Sequence, residues 1–266
     1  MSTSTQNPTQ NLLLRHNLKA LKLPTMLAEH EKLAREASDA NEDYQGYLLR
    51  LSELELTARS TNALASRIKL ASFPLIKELA DFDFALAPTV SKPKVLELAR
   101  CQWIDQHHTA GLIGNSGTGK THLAVAIGLS ACRAGKRVKF TTAATLANQL
   151  EEAQKQYRLE RTLKQLEKVD LLVIDELGYL SFSRMAAELL FQVFADRYER
   201  GSILVTSNLP FDEWGGVFQG ERMTAALLDR FTHHCTIIEM NGESYRFRES
   251  AKSAGRQPAT VNASKA

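Results

Sequence analysis

The pattern of hydrophobic positions changes near residue 88 of this 266-residue chain. Before that point, leucines recur at helical spacing in residues 11–27 and 44–70, and β-branched runs are few. Prolines at positions 24, 74, 88 and 93 interrupt the pattern. The spacing therefore predicts three to five helices in residues 11–87, followed by a linker near residues 87–94.

After residue 88, short apolar runs alternate with helical segments, which is typical of parallel α/β architecture. The predicted strands cover residues 110–113, 137–142, 170–175, 203–207 and 236–240. The predicted helices cover residues 120–134, 144–168, 185–200 and 220–231. We therefore predict an α/β domain in residues 88–249 and a small all-helical domain in residues 11–87. The polar stretches 1–10 and 250–266 are predicted to be disordered tails.

A glycine-rich loop follows the first predicted strand. Residues 114–121 read Gly-Asn-Ser-Gly-Thr-Gly-Lys-Thr and match the pattern G-x-x-x-x-G-K-[ST] in full. Such glycines let several main-chain N–H groups point at one phosphate chain, and the following helix adds its positive N-terminus. A chance glycine-rich loop is the alternative, which the strand before the loop and the helix after it disfavour.

The loop predicts ATP and Mg²⁺ as cofactors. Lys120 would reach the β- and γ-phosphates, and the Thr121 hydroxyl would bind Mg²⁺. The predicted nucleotide-binding residues of the loop are Gly114, Asn115, Ser116, Gly117, Thr118, Gly119, Lys120 and Thr121.

Two adjacent acids end the apolar run Leu-Leu-Val-Ile-Asp-Glu at residues 171–176. A buried strand would deliver Asp175 and Glu176 to the edge of the sheet that carries the loop. Asp175 is predicted to bind Mg²⁺, and Glu176 to be the general base for the attacking water. A solvated acid pair at a strand end is the alternative. The complete phosphate-binding loop earlier in the chain favours the catalytic interpretation, and hence an ATPase.

A third apolar run, Ile-Leu-Val-Thr-Ser-Asn, ends at Asn208. The Asn208 amide could contact the γ-phosphate or the attacking water, or it could start the turn before Leu-Pro. The spacing alone leaves both interpretations open.

Arg230 precedes the last predicted strand. An arginine from a neighbouring subunit often stabilises charge on the γ-phosphate of a bound nucleotide. A surface salt bridge of Arg230 with Asp229 or Glu221 is the alternative, and Arg222 competes for the same role. Two further arginines, Arg246 and Arg248, could contact phosphates of the same subunit or be solvated.

Charge permits a nucleic-acid partner without requiring one, because the net charge is +3 and the pI about 8.7. The residues predicted to contact DNA are Arg50, Arg59, Arg67, Lys69, Lys136 and Arg137. For the four residues before the α/β domain, a solvated helix face is the alternative, because Glu53, Glu55 and Glu78 reduce the positive charge of that region.

Cysteines and histidines argue against other classes of site. Cys101, Cys132 and Cys235 form no C-x-x-C pair, which argues against a disulfide framework or zinc module. The histidine pairs at positions 107–108 and 233–234 lack the i, i+4 spacing of metal ligands on a helix, so we expect no metal there. No apolar run approaches the ~20 residues of a membrane helix. With no apolar signal segment at the start, we expect a cytoplasmic protein without a membrane partner.

Together, these motifs resemble the IstB family, the ATP-binding helpers of IS21-type insertion sequences within the AAA+ class, which is similar to the helicase loader DnaC. The resemblance runs from about residue 11 to residue 248. The motifs that carry it are Gly-Asn-Ser-Gly-Thr-Gly-Lys-Thr-His-Leu-Ala, Leu-Leu-Val-Ile-Asp-Glu-Leu-Gly-Tyr-Leu, Thr-Ser-Asn-Leu-Pro-Phe and Leu-Leu-Asp-Arg-Phe. The phosphate-binding loop is shared by a whole superfamily, whereas Asp-Glu-Leu-Gly-Tyr with a helical N-terminal region is more specific.

The resemblance implies an AAA+ core with a parallel five-stranded sheet and a helical N-terminal domain that helps to bind DNA. It adds His122 to the nucleotide-binding residues, and it matches Asn208 to a sensor residue and Arg230 to an arginine acting on a neighbour's nucleotide. Subunits would assemble on duplex DNA with ATP, bend it, and recruit and stimulate a transposase. The stretch after residue 240 is too short for the usual helical lid, which weakens Arg246 and Arg248 as sensors.

Two other functions remain open. A helicase loader would use its N-terminal helices to grip a helicase and would bind single-stranded DNA. An adaptor that binds nucleotide with negligible turnover is the other, and the intact acid pair disfavours it. The ligand of the N-terminal domain, duplex DNA or a protein, distinguishes the transposition helper from the loader.

Overall fold

The computed structural model describes residues 8–242 and residue 244. Arg246, Arg248 and the predicted tail 250–266 lie outside the described residues. The chain separates into two compact units, Met1–Ser66 and Arg67–Ala266. Residues 67–87, predicted to belong to the helical domain, are part of the second unit. There the Phe73 ring meets the Phe140 ring edge-on.

The first unit is helical. It contains α1 (Pro8–Ala20), α2 (Pro24–Asp39) and most of α3 (Tyr44–Ala71). Residues 8–10, predicted to lie in a disordered tail, belong to α1. Pro24 begins α2, where its missing N–H and restricted φ are compatible with the helix.

A small core holds this unit together. Its buried apolar side chains are Leu18, Leu33, Ala37 and Leu51. Glu55 of α3 is also buried, and its carboxylate accepts the N–H groups of Thr25 and Met26 at 2.8 and 3.0 Å. The carboxylate thereby satisfies main-chain donors at the start of α2 that no helical carbonyl can reach.

Five parallel strands form the sheet of the second unit, in the order β2-β3-β4-β1-β5. The strands are β1 (Thr109–Ile113), β2 (Val138–Thr142), β3 (Leu171–Leu177), β4 (Ser202–Ser207) and β5 (Cys235–Glu239). Strands β3 and β4 read as continuous apolar runs because both faces of a parallel sheet are covered. The predicted α/β fold with a parallel five-stranded sheet and a helical N-terminal region is confirmed.

Helices cover both faces of the sheet. They are α4 (Lys92–Ala99), α5 (Gln102–Asp105), α6 (Lys120–Arg133), α7 (Ala143–Lys155), α8 (Leu159–Glu167), α9 (Arg184–Arg197), α10 (Trp214–Phe218) and α11 (Glu221–Thr232). Helix α6 packs on β1–β4, whereas α7, α9, α10 and α11 share a core with Leu172, Ile174, Ile203 and Val205. In the part of the chain from 8 to 242, no helix combines the length and apolarity needed to cross a bilayer.

The single helix predicted for residues 144–168 is wrong, since two helices, α7 and α8, lie there. The break falls at Tyr157, which has φ of 55° and a side chain 99% exposed. The turn brings Leu159, Leu163 and Leu166 back against the core. A continuous helix would carry these three apolar side chains away from the core, so their burial favours the break.

Candidate functional site

The phosphate-binding loop joins β1 to α6 as predicted. Gly119 precedes α6 with φ of 93°, and a side chain there would approach the Phe82 ring to 2.8 Å. Only glycine suits both the left-handed backbone and this close contact. The Lys120 Nζ donates to the carbonyls of Gly114 and Asn115 at 2.7 and 2.6 Å. The ammonium therefore lies over the loop, where a phosphate chain would meet it.

Thr121 and Asp175, the predicted Mg²⁺ ligands, lie together. The Thr121 Oγ1 is 3.1 Å from each carboxylate oxygen of Asp175. The Asp175 side chain is buried, with the residue 3% exposed, and burial raises its pKa although hydrogen bonds from Thr206 and Thr121 oppose that shift. A buried carboxylate beside a hydroxyl offers the hard oxygen ligands that Mg²⁺ prefers, so the donor set fits the ion.

A β-bulge lies at the carboxyl end of β3. Two residues of this strand, Asp175 and Glu176, lie opposite the single residue Thr206 of β4. Glu176 has a left-handed φ of 58°, and its N–H donates to the Thr206 Oγ1 at 3.0 Å. Because a bulge redirects the side chains that follow it, Asp175 is buried while Glu176 is exposed and lines a cavity.

This cavity has a volume of about 540 Å³. One wall is the phosphate-binding loop, and the other is the segment of residues 74–90, which we call the strap. The apolar residues that line the cavity include Leu75, Ile76, Leu86, Ala87, Val90 and Met240. An apolar wall beside a phosphate-binding loop suits a nucleobase joined to a phosphate chain. The sequence analysis assigned residues 74–87 to the helical domain and expected a linker near residues 87–94, so it did not predict this wall.

The strap is fastened to α6 by polar contacts. The His122 Nε2 is 3.0 Å from the Glu78 carbonyl, and its ring meets the Phe82 ring edge-on at 5.4 Å. Arg133 forms an ion pair with the Glu78 carboxylate and lowers its pKa. His122, predicted to contact nucleotide, therefore holds the strap beside the loop. Sequence reasoning missed Glu78 and Phe82, because no motif marks them and their partners lie far along the chain.

Asn208 lies directly after β4 and lines the cavity with its exposed side chain. The preceding Ser207 Oγ exchanges hydrogen bonds of 3.0 Å with the N–H and carbonyl of Leu209. Ser207 therefore makes the hydrogen bonds of this turn, rather than Asn208. Asn208 lines the same cavity as Glu176 and the phosphate-binding loop.

Arg230 lies at the other end of the sheet. It borders a small cleft with Thr109, the first residue of β1, and its guanidinium stands 5.4 Å from the centre of the Phe191 ring. Within residues 8–242, no ion pair of Arg230 with Asp229 or Glu221 is formed. Neither Arg230 nor the exposed Arg222 borders the nucleotide cavity.

Two of the residues predicted to contact DNA lie in the first unit. Arg50 forms ion pairs with Glu36 and Glu42 at 2.9 and 2.8 Å. The Arg59 Nε donates to the Glu55 carboxylate at 2.9 Å. Both guanidiniums therefore have acidic partners within their own unit.

The other four candidates belong to the second unit. Arg67 donates to a main-chain carbonyl at the end of α6, and Lys136 and Arg137 each pair with an aspartate. Lys69 is exposed in the last turn of α3. DNA contact by these residues stays a prediction.

Solved structures share this fold. The replication initiator DnaA bound to AMPPCP and single-stranded DNA matches with a TM-score of 0.53 and 23% identity, over 71% of this chain and 58% of that one. The chain thus spans less than two thirds of that DnaA chain. DnaI matches with a TM-score of 0.51 and 19% identity, over 62% of this chain and 90% of that one. At such identities the likeness establishes the AAA+ fold alone.

Relatives in sequence are closer. An ATP-binding protein of insertion sequence IS5376 from Geobacillus stearothermophilus is 39% identical over 229 residues, which is 86% of this chain and 91% of the relative. That of IS21 from Pseudomonas aeruginosa is 37% identical over 235 residues, 88% and 89% of the two chains. The family model described as IstB-like ATP binding protein matches residues 16–253. This chain therefore belongs to the family of IstB-like ATP-binding proteins and is an AAA+ ATPase.

Proposed function

We propose that this ATPase assembles on duplex DNA when it holds Mg·ATP, bends the DNA, and recruits and stimulates a partner transposase during DNA transposition. The observation that carries the proposal is the placement of Arg230. It lies at the amino end of the sheet, whereas the nucleotide cavity lies at the carboxyl end.

Among the described residues, one subunit supplies every part of the proposed site except an arginine. The loop amides and Lys120 would hold the phosphates, and Glu176 and Asn208 line the place where a water would attack. No arginine of the described residues borders the cavity. Arg230 lies beside the first residue of β1, and the strand separates it from the loop by about 13 Å or more at ~3.3 Å per residue. A neighbouring subunit would therefore complete the site.

Hydrolysis would follow from these placements. Thr121 and Asp175 would hold Mg²⁺, which when bound neutralises charge on the β- and γ-phosphates. The Glu176 carboxylate would accept a proton from the attacking water, and the Asn208 amide would orient that water. The neighbour's Arg230 would stabilise the charge that develops on the γ-phosphate. Hydrolysis then weakens the interface, so ATP times the assembly.

The relatives support a role on DNA, since their names attach them to insertion sequences. The structure of DnaA with single-stranded DNA is a precedent for this fold on nucleic acid. The net charge of +3 is compatible with phosphate contacts, so we expect DNA binding to weaken as salt rises. A cytoplasmic location belongs to the same proposal.

The test of assembly compares a ~50 bp duplex with single-stranded DNA of equal length, using ATP, ADP or no nucleotide, with electron microscopy of the bound fraction. The Glu176→Gln variant serves to prolong the ATP-bound state. Cooperative, ATP-dependent binding to the duplex supports the proposal. Preference for the single strand, or binding only with a helicase, would favour the helicase loader.

The test of Arg230 mixes two variants. Arg230→Ala keeps an intact loop and base, while Glu176→Gln keeps Arg230. Action on a neighbour predicts that each variant alone hydrolyses ATP slowly and that the mixture recovers part of the rate. The exposed Arg222→Ala is the matched control. Wild-type rates for Arg230→Ala, or no recovery on mixing, would contradict the assignment.

A further inference from the structure

The buried Thr206 hydroxyl contacts both acids of the nucleotide site. Thr206 is 1% exposed within β4. Its Oγ1 donates to the Asp175 Oδ1 at 2.5 Å and accepts the Glu176 N–H at 3.0 Å. One side chain thus links the carboxylate that would bind Mg²⁺ to the backbone of the residue that would act as base.

The β-bulge explains why a side chain is needed there. Asp175 and Glu176 face the single residue Thr206, so the regular exchange of main-chain hydrogen bonds between β3 and β4 is interrupted. The Thr206 hydroxyl takes over as acceptor for the Glu176 N–H. A hydroxyl has one hydrogen to donate and lone pairs to accept with, so it can serve both neighbours at once.

The backbone of Glu176 needs this support. Its φ of 58° is an unfavourable conformation for a residue with a side chain, and it persists only where the surroundings impose it. With the hydroxyl removed, the Glu176 N–H would lose its partner and the bulge could relax. The Glu176 carboxylate would then move relative to the phosphate-binding loop.

We propose that Thr206 is a positioning residue for ATP hydrolysis, which holds the Asp175 carboxylate against Thr121 and aims Glu176 into the cavity through its main chain. This inference rests on the proposed roles of Asp175 and Glu176. Thr206 does not take part in the reaction itself, and it acts only through these two neighbours.

The experiment compares Thr206→Val, which keeps the shape but lacks the hydroxyl, with Thr206→Ser, which retains the hydroxyl. Misplacement of a catalytic group by about 1 Å can cost ~100-fold. We expect Thr206→Val to lower kcat by about 10- to 100-fold with KM changed by less than about threefold. Thr206→Ser should keep kcat within about threefold of the wild type.

A second readout does not depend on turnover. The affinity for a fluorescent non-hydrolysable ATP analogue is measured while Mg²⁺ is titrated. Without Mg²⁺, Thr206→Val and the wild type should bind the analogue with equal affinity. Thr206→Val should need a several-fold higher Mg²⁺ concentration to reach half of the increase in affinity that Mg²⁺ produces. The matched control is Thr141→Val, which removes another buried strand hydroxyl, one that donates to the Thr142 carbonyl.

The outcomes separate this proposal from the proposed function. Equal kcat for Glu176→Gln and the wild type would remove the assigned base, and the Mg²⁺ titration would still test the link of Thr206 to Asp175. A wild-type kcat and Mg²⁺ dependence in Thr206→Val would overturn the role of Thr206 alone. So would equal losses in Thr206→Ser or Thr141→Val, because they would indicate general damage to the sheet.

Discussion

Two buried charges lie at opposite ends of the same sheet. Asp175 is at the carboxyl end and Arg197, the last residue of α9, is at the amino end; each is 3% exposed. Both charges lose their hydration on folding, and neither forms an ion pair within the described residues. They differ in what the protein supplies as compensation.

Arg197 is surrounded by main-chain oxygen. Its guanidinium donates to the carbonyls of Leu166, Val169, Asp170 and Ser202 at 2.8 to 3.3 Å. Burial nevertheless lowers its pKa to about 10. The two terminal nitrogens make these four bonds, whereas the buried Nε has no partner among the described residues, so Arg197 ties the end of α8 to β3 and β4 through Nη1 and Nη2.

Asp175 is compensated by groups that can change partners. Its oxygens accept from the hydroxyls of Thr121 and Thr206, and Thr121 borders the nucleotide cavity. A cation arriving there can displace the Thr121 hydroxyl from the carboxylate without breaking main-chain structure. A buried charge held by main-chain carbonyls stabilises the fold, whereas one held by hydroxyls beside a cavity is available to a ligand.

The largest expected effect is at the carboxyl end. Glu176→Gln should lower kcat by about 1000-fold, because a positioned general base contributes roughly 10²–10⁴-fold. Nucleotide affinity should change little, since Gln keeps the size of the side chain and one of its two acceptor oxygens. Phosphate release at steady state measures kcat. Glu199→Gln, at the amino end, is the control expected to retain the wild-type rate.

At the amino end the expected effect is on stability. Arg197→Met leaves four carbonyls without this donor, and we expect the free energy of unfolding to fall by about 3 kcal/mol. Urea denaturation measures the change. The exposed Arg200→Met should stay within ~0.5 kcal/mol of the wild type. A loss below ~1 kcal/mol for Arg197→Met would contradict the structural role.

For Asp175→Asn we expect no loss of stability, in contrast to Arg197→Met. Burial raises the pKa of Asp175, so the folded state favours the protonated form. The resulting stability is complete below the unfolded pKa of ~3.9 and is lost as pH rises through the raised folded pKa. At neutral pH without Mg²⁺, the neutral amide should therefore leave the free energy of unfolding unchanged or raise it by up to ~1 kcal/mol, as measured by urea denaturation. ATP hydrolysis should be lost. Clear destabilisation would contradict the comparison.

The smallest effect concerns Asp170. Burial raises its pKa, but hydrogen bonds and charge from Arg137 lower it more, so the net shift is downward. The stabilisation is present above the unfolded pKa of ~3.9 and is lost as pH falls through the lowered folded pKa. Asp170→Asn should cost ~0.5 kcal/mol at pH 7, because Arg137 is largely exposed. The difference in free energy of unfolding between variant and wild type, measured by urea denaturation, should shrink near pH 3. A difference that does not change with pH would exclude the ion pair as its cause.

Much of the site follows from local sequence. The loop of residues 114–121 needs its glycines and lysine at fixed spacing whatever surrounds it, and Asp175 and Glu176 end a strand whose apolar run is visible in the sequence. The alternation of strands and helices predicts the parallel sheet. The break at Tyr157 could not be predicted, because residues 144–168 are compatible with one helix until Leu159 and its neighbours find the core.

By itself, the sequence determined the fold class, the phosphate-binding loop and the acids that follow β3, since each depends on residues close together along the chain. Only the tertiary structure decided that the strap lines the cavity, that Thr206 joins the two acids, and that Arg230 lies at the far end of the sheet from the cavity. These features depend on pairs such as Glu78 with Arg133, which are distant in sequence and meet only when the chain is folded. The spacing of residues along the chain does not predict such long-range contacts, because different folds of the same elements would bring different side chains together.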